Sequence, residues 1–220
     1  VTSNGETGFS DGVPEVSTPR PRLTADERRL QILNTAAEVF AANGLESART
    51  REIAKACGVN EALLYKHFPS KKDLFCEAIT LLFERSVDSW RPITAAEPDG
   101  FSAVRTLVRT QIETLARHPF YGSNMVHAVA SSTQEERLKT IINRWFQLSH
   151  DFIVSLVERG IRDGSIRSDL DPNAVAFILR AVVWGAIVFD LVGFDETEIR
   201  VEMPVIADGL LYSILRNPER

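Results

Sequence analysis

The sequence predicts an all-α fold, a small N-terminal head of three helices joined to a larger C-terminal helical domain. Three observations lead there. From Thr24 onward, apolar residues recur at i, i+3 and i+4. Ser, Thr and Asp stand ahead of several of those stripes, where their side chains can cap a helix. No run of alternating β-branched residues argues for a strand. At 220 residues, 44% of them hydrophobic, the chain can bury one substantial core or fuse a small domain to a larger one.

Residues 1–22 are rich in Gly, Ser, Thr and Pro, end in Pro19-Arg20-Pro21-Arg22 and are expected to form a flexible arm. Arg20 and Arg22 belong either to a disordered leader or to an arm that tracks nucleic acid beside the head. Thr24 and Glu27 then make a capping box, and Leu33, Ala36, Ala37 and Phe40 form a stripe ending at Asn43-Gly44. A short helix is expected over 50–57, a turn at Gly58 and a second short helix over 60–67. Pro69 interrupts; Ser70 with Asp73 caps a longer helix carrying Leu74, Phe75, Ala78, Leu81 and Leu82. Pro92 and Glu97-Pro98-Asp99-Gly100 mark the boundary into the second region.

There, helices are expected over 101–117, 120–131 and 134–163, the last beginning behind Ser132 and Glu135 and stopping near Gly164. Asp171-Pro172 is a start signal, an acceptor at the cap with proline at the first helical position. An apolar helix over 172–192 follows. After a break at 193–196, Pro204 is read near the start of a last helix with Val205, Ile206, Leu210, Leu211, Ile214 and Leu215 as apolar positions.

Net charge is -5, which by itself argues against a nucleic-acid partner. Its distribution reverses the argument. Between 46 and 72, Arg49, Arg51, Lys55, Lys66, Lys71 and Lys72 face Glu46, Glu52 and Glu61, a local +3 that leaves -8 on the rest of the chain. A basic head on an acidic body suits a protein that meets an anion at one end. Cys57 and Cys76 lack zinc-site spacing and the density of a disulfide scaffold, so they are read as reduced thiols of a cytoplasmic protein, Cys57 as a small core residue beside the turn. No signal peptide is expected. Residues 174–194 could mimic a membrane span, but Arg180 and Asp190 divide them, and a helix packed in protein on most sides is expected. His118, His127 and His150 share no helical spacing, so no metal is expected, and nothing calls for a cofactor.

The stretch from Thr50 to Phe68 carries the functional signal. Two short helices cross steeply only if a small residue sits at their contact and the turn tolerates a left-handed backbone; Ala54 and Gly58 supply both. Ile53, Val59, Leu64 and Phe68 then face inward, leaving Glu61, Ala62, Tyr65 and Lys66 on the opposite face. The major groove of B-DNA admits one such helix, N-terminal residues nearest the bases. Glu61 can accept from a cytosine amino group, Lys66 can donate to guanine and Leu63 can touch a thymine methyl. Thr50, Tyr65, His67 and Lys71 are placed for phosphates, which fix register without reading sequence.

The run Leu64-Tyr65-Lys66-His67-Phe68-Pro69-Ser70-Lys71-Lys72-Asp73-Leu74 resembles the signature of the TetR family of transcriptional regulators, and Gly164 to Pro172 resembles the turn before that family's penultimate helix. The resemblance is strong over 26–82. It implies a homodimer whose heads read the halves of a palindromic operator in double-stranded DNA, with an inducer-binding C-terminal domain that dimerises through its last two helices. It also implies phosphate contacts at Thr50, Tyr65, His67 and Lys71 and base-facing positions at Arg51, Asn60, Glu61, Ala62, Leu63 and Lys66. The chain departs from the family in having Ala48 and Arg49 where hydroxyl caps are frequent, leaving Ser47 or Thr50 to cap the second helix. The expected division is an arm over 1–22, the DNA-binding head over 23–69, a linking helix over 70–90 and a ligand-binding and dimerisation domain over 91–220.

In that last domain Trp90, Phe120, Tyr121, Met125, His127, Trp145, Phe146, Phe152 and Trp184 supply bulky surface suited to a largely apolar small molecule, and equally to an ordinary core. Val175, Ile178, Leu179, Val182, Val183, Ala186 and Ile187 with Leu210, Leu211 and Ile214 are expected to pair across a two-fold axis as a four-helix bundle. Two other readings remain: a DNA-binding activator or architectural factor without an inducer, and a helical carrier or enzyme. The sequence contains no Walker A loop, dinucleotide fingerprint, zinc-protease motif or nucleophile elbow, so no enzyme is expected.

Overall fold

The computed structural model describes residues 23–191 and 197–216, and the expected N-terminal arm lies outside them. The described residues form nine helices and no strand: α1 Ala25–Ser47, α2 Thr50–Ala56, α3 Glu61–His67, α4 Lys71–Ala95, α5 Gly100–Arg117, α6 Pro119–Ser132, α7 Glu136–Asp163, α8 Pro172–Leu191 and α9 Thr197–Leu215.

The head is a three-helix unit built under α1. The Thr24 hydroxyl accepts from Glu27 N while the Glu27 carboxylate accepts from Thr24 N, a complete capping box. Gly44 then leaves helical geometry at φ 70°, and a short turn carries on to Ser47. Ile32, Leu33, Ala36 and Phe40 of α1 are buried with Ile53, Ala54, Leu64, Phe68, Leu74 and Phe75. Val59 is only partly buried against that core. Gly58 takes φ 68° in the α2–α3 turn with open space where a Cβ would stand, so backbone conformation and not crowding favours glycine there.

α4 leaves the head and becomes the first wall of the second region. Ser70 caps it, its Oγ accepting from Asp73 N. The helix continues through Pro92 to Ala95, past the expected boundary at 90. Around it, α5 packs on α7 and α9, α6 on α1 and α7, and α8 on α7, α6 and α5. The α5–α7 crossing is unusually close: Gly100 and Gly160 meet backbone to backbone. Asp99 caps α5 by accepting from Ser102 N, and Gly100 N donates to Asp163.

Three expectations about ends fail. Ser132 does not start α7; it closes α6, its Oγ donating to Val129 O, and α7 begins behind Glu135 with no side-chain cap. Pro204 falls inside α9 and not near its start. Neither Ser47 nor Thr50 caps α2, whose N-cap is Arg49 without a side-chain bond. The Thr50 hydroxyl is occupied elsewhere.

The α8 stretch Pro172–Phe189 is long and apolar enough to cross a membrane, and 11% of it is buried within the protomer. Phe177, Ile178, Val182, Val188 and Phe189 are exposed, as are Val205, Leu210, Tyr212 and Ile214 of α9.

Candidate functional site

Two features are candidates, the outer face of α2 and α3 and a cavity in the second region. On the first, Arg49, Arg51, Lys55, Ala62, Tyr65 and Lys66 are exposed, Tyr65 by 44%, and Leu63 and His67 are half-buried. Arg49, Arg51, Lys55 and Lys66 form no ion pair among the described residues. Other cations of the head and its neighbours are engaged: Arg29 with Glu77, Lys72 with Glu135 at 3.0 Å, Arg137 with Asp73. The Lys72–Glu135 pair raises the Lys72 pKa. Arg49, Arg51, Lys55 and Lys66 therefore form an exposed cationic group on and beside α2 and α3.

Five of the sequence-selected residues on this face have structural duties as well. The Thr50 hydroxyl donates to the Glu61 carboxylate and lies 3.3 Å from the Tyr65 hydroxyl. That cluster joins α2 to α3 and fixes the crossing. Glu61 is thus half-buried and held from behind, a constraint that sequence spacing does not reveal. Asn60 caps α3, its Oδ1 accepting from Leu63 N at 2.7 Å, which leaves its amide group as the remaining polar end. Lys71 donates to Glu46 O at 2.9 Å and Ala48 O at 3.1 Å, tying the start of α4 to the end of α1. An ammonium carries three donors, so one remains. Lys71→Ala is accordingly expected to lower head stability by about 1.5–3 kcal/mol, the range for hydrogen bonds to a charged group. A thermal melt checks this, since a lysine that met phosphate alone would leave the melting temperature unchanged.

The cavity is about 370 Å³, with walls from α4, α5, α6, α7 and α8. Trp90, Tyr121, Met125, Trp145 and Trp184 of the sequence-selected set line it. The other four do not. Phe120 is exposed at the start of α6. His127 packs against α1, where a Cβ on Gly44 would stand 3.1 Å from its Nδ1. Phe146 lies behind the wall, its ring against Trp145 and Trp184. Phe152 packs on Trp90, with Arg91 over its ring. Residue size selected these four, but the side of the helix each occupies decides access.

The polar lining escaped the sequence reading: Arg85, Ser86, Ser89, Gln111, Thr114, His118, Ser149 and Arg180. Isolated polar residues on amphipathic helices give no signal until the helices are placed. Ser86 accepts from Trp145 Nε1 at 3.3 Å and also bonds Tyr121, whose phenol is nevertheless pushed up in pKa by burial. Burial lowers the pKa of Arg180 and raises those of the Cys57 and Cys76 thiols. Among the described residues no His, Cys, Asp and Glu cluster has a metal-binding arrangement.

The expected dimer set divides by face. Ile178, Val182, Leu210 and Ile214 are exposed, and Val175, Leu179 and Ala186 are half-buried. Val183 and Ile187 are buried and line the cavity, one turn apart on the inner side of α8, and Leu211 is buried in the protomer's own core. Those three are not available to a partner. Phe177, Phe189 and Tyr212, absent from the expected set, are exposed on the same two helices.

Comparison with known proteins matches the head, residues 32–78, to the family described as bacterial regulatory proteins, tetR family, and residues 100–200 to a tetracyclin repressor-like C-terminal domain. The chain is 28% identical over 193 residues to the HTH-type transcriptional repressor KstR2 of Rhodococcus jostii, covering 83% of this chain and 91% of that one. It is 30% identical over 162 residues to the nucleoid occlusion factor SlmA of Vibrio cholerae, covering 73% and 82%. A TetR transcriptional regulator from Chloroflexus aurantiacus superposes with a TM-score of 0.76 over 87% of this chain and 97% of its own, at 20% identity, a likeness of fold.

Proposed function

Because the chain belongs to the tetR family of bacterial regulatory proteins, and is therefore a DNA-binding transcriptional regulator, we propose that it acts as a cytoplasmic homodimeric repressor released from a palindromic operator by a small, largely apolar molecule. The observation that carries the reading is that α1 of the head rests on two walls of the cavity, α4 and α6. Arg85, which lines the cavity, donates to Asn34 of α1 at 2.8 Å. Asn124 of α6 donates to Ala37 O of α1 at 2.9 Å, and His127 of α6 fills the space beside Gly44. A molecule that displaces α6 or draws Arg85 inward moves α1, and with it α2 and α3. The matched HTH-type transcriptional repressor KstR2 supports the repressor role.

The exposed apolar residues of α8 and α9 support dimerisation, since soluble monomers rarely leave large apolar surface open. In this reading Ile178, Val182, Leu210 and Ile214 with Phe177 and Tyr212 form the centre of the interface. Arg51, Ala62, Leu63 and Lys66 approach bases, Tyr65 and His67 hold phosphates, and the Thr50–Glu61 pair sets the pitch of α3.

The test is a duplex recovered from a random library by selection against the full chain. The selected site should be palindromic. Lys66→Ala should relax preference at one position per half-site by about 1–3 kcal/mol. A non-palindromic site, or full specificity after Lys66→Ala together with Arg51→Ala, contradicts the assignment.

A further inference from the structure

We propose that the cavity takes a small organic acid, an apolar body bearing one carboxylate, and that Arg180 of α8 holds that carboxylate. The assignment builds on the ligand-responsive reading above and names the chemistry of the molecule. Three observations converge. The walls are mainly apolar and aromatic, with Trp90, Trp145 and Trp184 all on the lining, and about 370 Å³ accommodates a body of one or two rings or a medium acyl chain. The charged residues on the lining are Arg85 and Arg180, and no Asp or Glu is among them. Of the two cations, Arg85 is exposed and already donates to Asn34.

Arg180 is different. It is half-buried, its guanidinium sits 4.7 Å above the Phe146 ring, and no carboxylate pairs with it among the described residues. Burial works against its charge, and no anion among the described residues opposes that effect. A guanidinium nonetheless stays protonated in proteins. A partly desolvated cation is stabilised by an anion, and an entering carboxylate supplies one while matching the planar fork of donors. Aromatic walls would also suit a quaternary ammonium. Such a cation, however, meets two guanidinium groups on the lining and no carboxylate.

The experiment uses the full chain free of DNA. Every tryptophan of the sequence lines the cavity, so intrinsic fluorescence reports occupancy directly. Octanoate and phenylbutanoate are titrated, each beside its uncharged amide, together with benzyltrimethylammonium, with calorimetry as a second readout. At least one acid is expected to bind about tenfold or more tighter than its amide, the scale of a charge-assisted bidentate contact. Arg180→Gln should bring that acid to the level of the amide, lowering acid binding far more than amide binding, whereas Arg180→Lys should retain part of the preference. Equal binding of acid and amide, tighter binding of the ammonium, no acid binding at millimolar concentration, or an unchanged acid preference in Arg180→Gln each overturns the assignment. An acid that binds through Arg180 yet leaves operator affinity unchanged upholds it and removes the inducer role instead.

Discussion

Phe40→Ala is expected to lower stability by about 3–5 kcal/mol, the range for removing a large aromatic side chain from a packed interior. Phe40 is fully buried and meets Phe75 of α4 edge to face, ring centroids 4.8 Å apart. It therefore holds α1 to α4 directly beneath the helix-turn-helix, and no neighbour can close the gap without moving one of those helices. A loss of that size is a large fraction of the ~5–15 kcal/mol that holds a typical domain folded. Denaturant unfolding followed by circular dichroism measures it. Operator binding should fall with the folded fraction of the head, while Phe40→Leu recovers most of both. An alanine variant as stable as the parent chain would mean that the α1–α4 contact is not what secures the head.

Gly100→Ala is the second large effect, expected at about 3 kcal/mol, the upper range for forcing atoms into a filled site. A Cβ at Gly100 would lie 2.1 Å from Gly160 N and 2.3 Å from Gly160 Cα. Both are backbone atoms of α7, so no rotamer change relieves the clash and α5 must separate from α7. Gly160→Ala makes a useful contrast. Its Cβ would meet Ile166 side-chain atoms at 2.5 and 2.6 Å, and a side chain can yield where backbone cannot. The expected order in a thermal melt is parent above Gly160→Ala above Gly100→Ala. Because α5 and α7 are both walls of the cavity, Gly100→Ala should also weaken binding of any cavity ligand.

The head was legible in the sequence because its information is local. Thr24 with Glu27, Ser70 with Asp73, and Gly58 between two short apolar stripes each declare a cap or turn within a few residues. What was not legible depends on which way a helix faces once packed. Phe146, Phe152, His127 and Phe120 have the right chemistry for a pocket but sit on other faces, whereas Arg85 and Arg180 reach the lining from helices whose stripes gave no hint of it. The same holds on α8, where Val183 and Ile187 turn inward and Phe177 and Phe189 turn out. An almost continuously apolar helix offers no periodicity from which to choose a face. Thr50 and Glu61 illustrate the point on the outer face of α2 and α3: residues eleven apart became partners through the crossing of the two helices.

The most direct test of coupling between cavity and head is operator affinity measured with the cavity empty and with it saturated by an acid that quenches the tryptophans. Saturation should weaken operator binding about 5- to 150-fold, the usual span of an allosteric coupling, and bound operator should weaken acid binding by the same factor. Unchanged operator affinity at full tryptophan quenching would contradict the account.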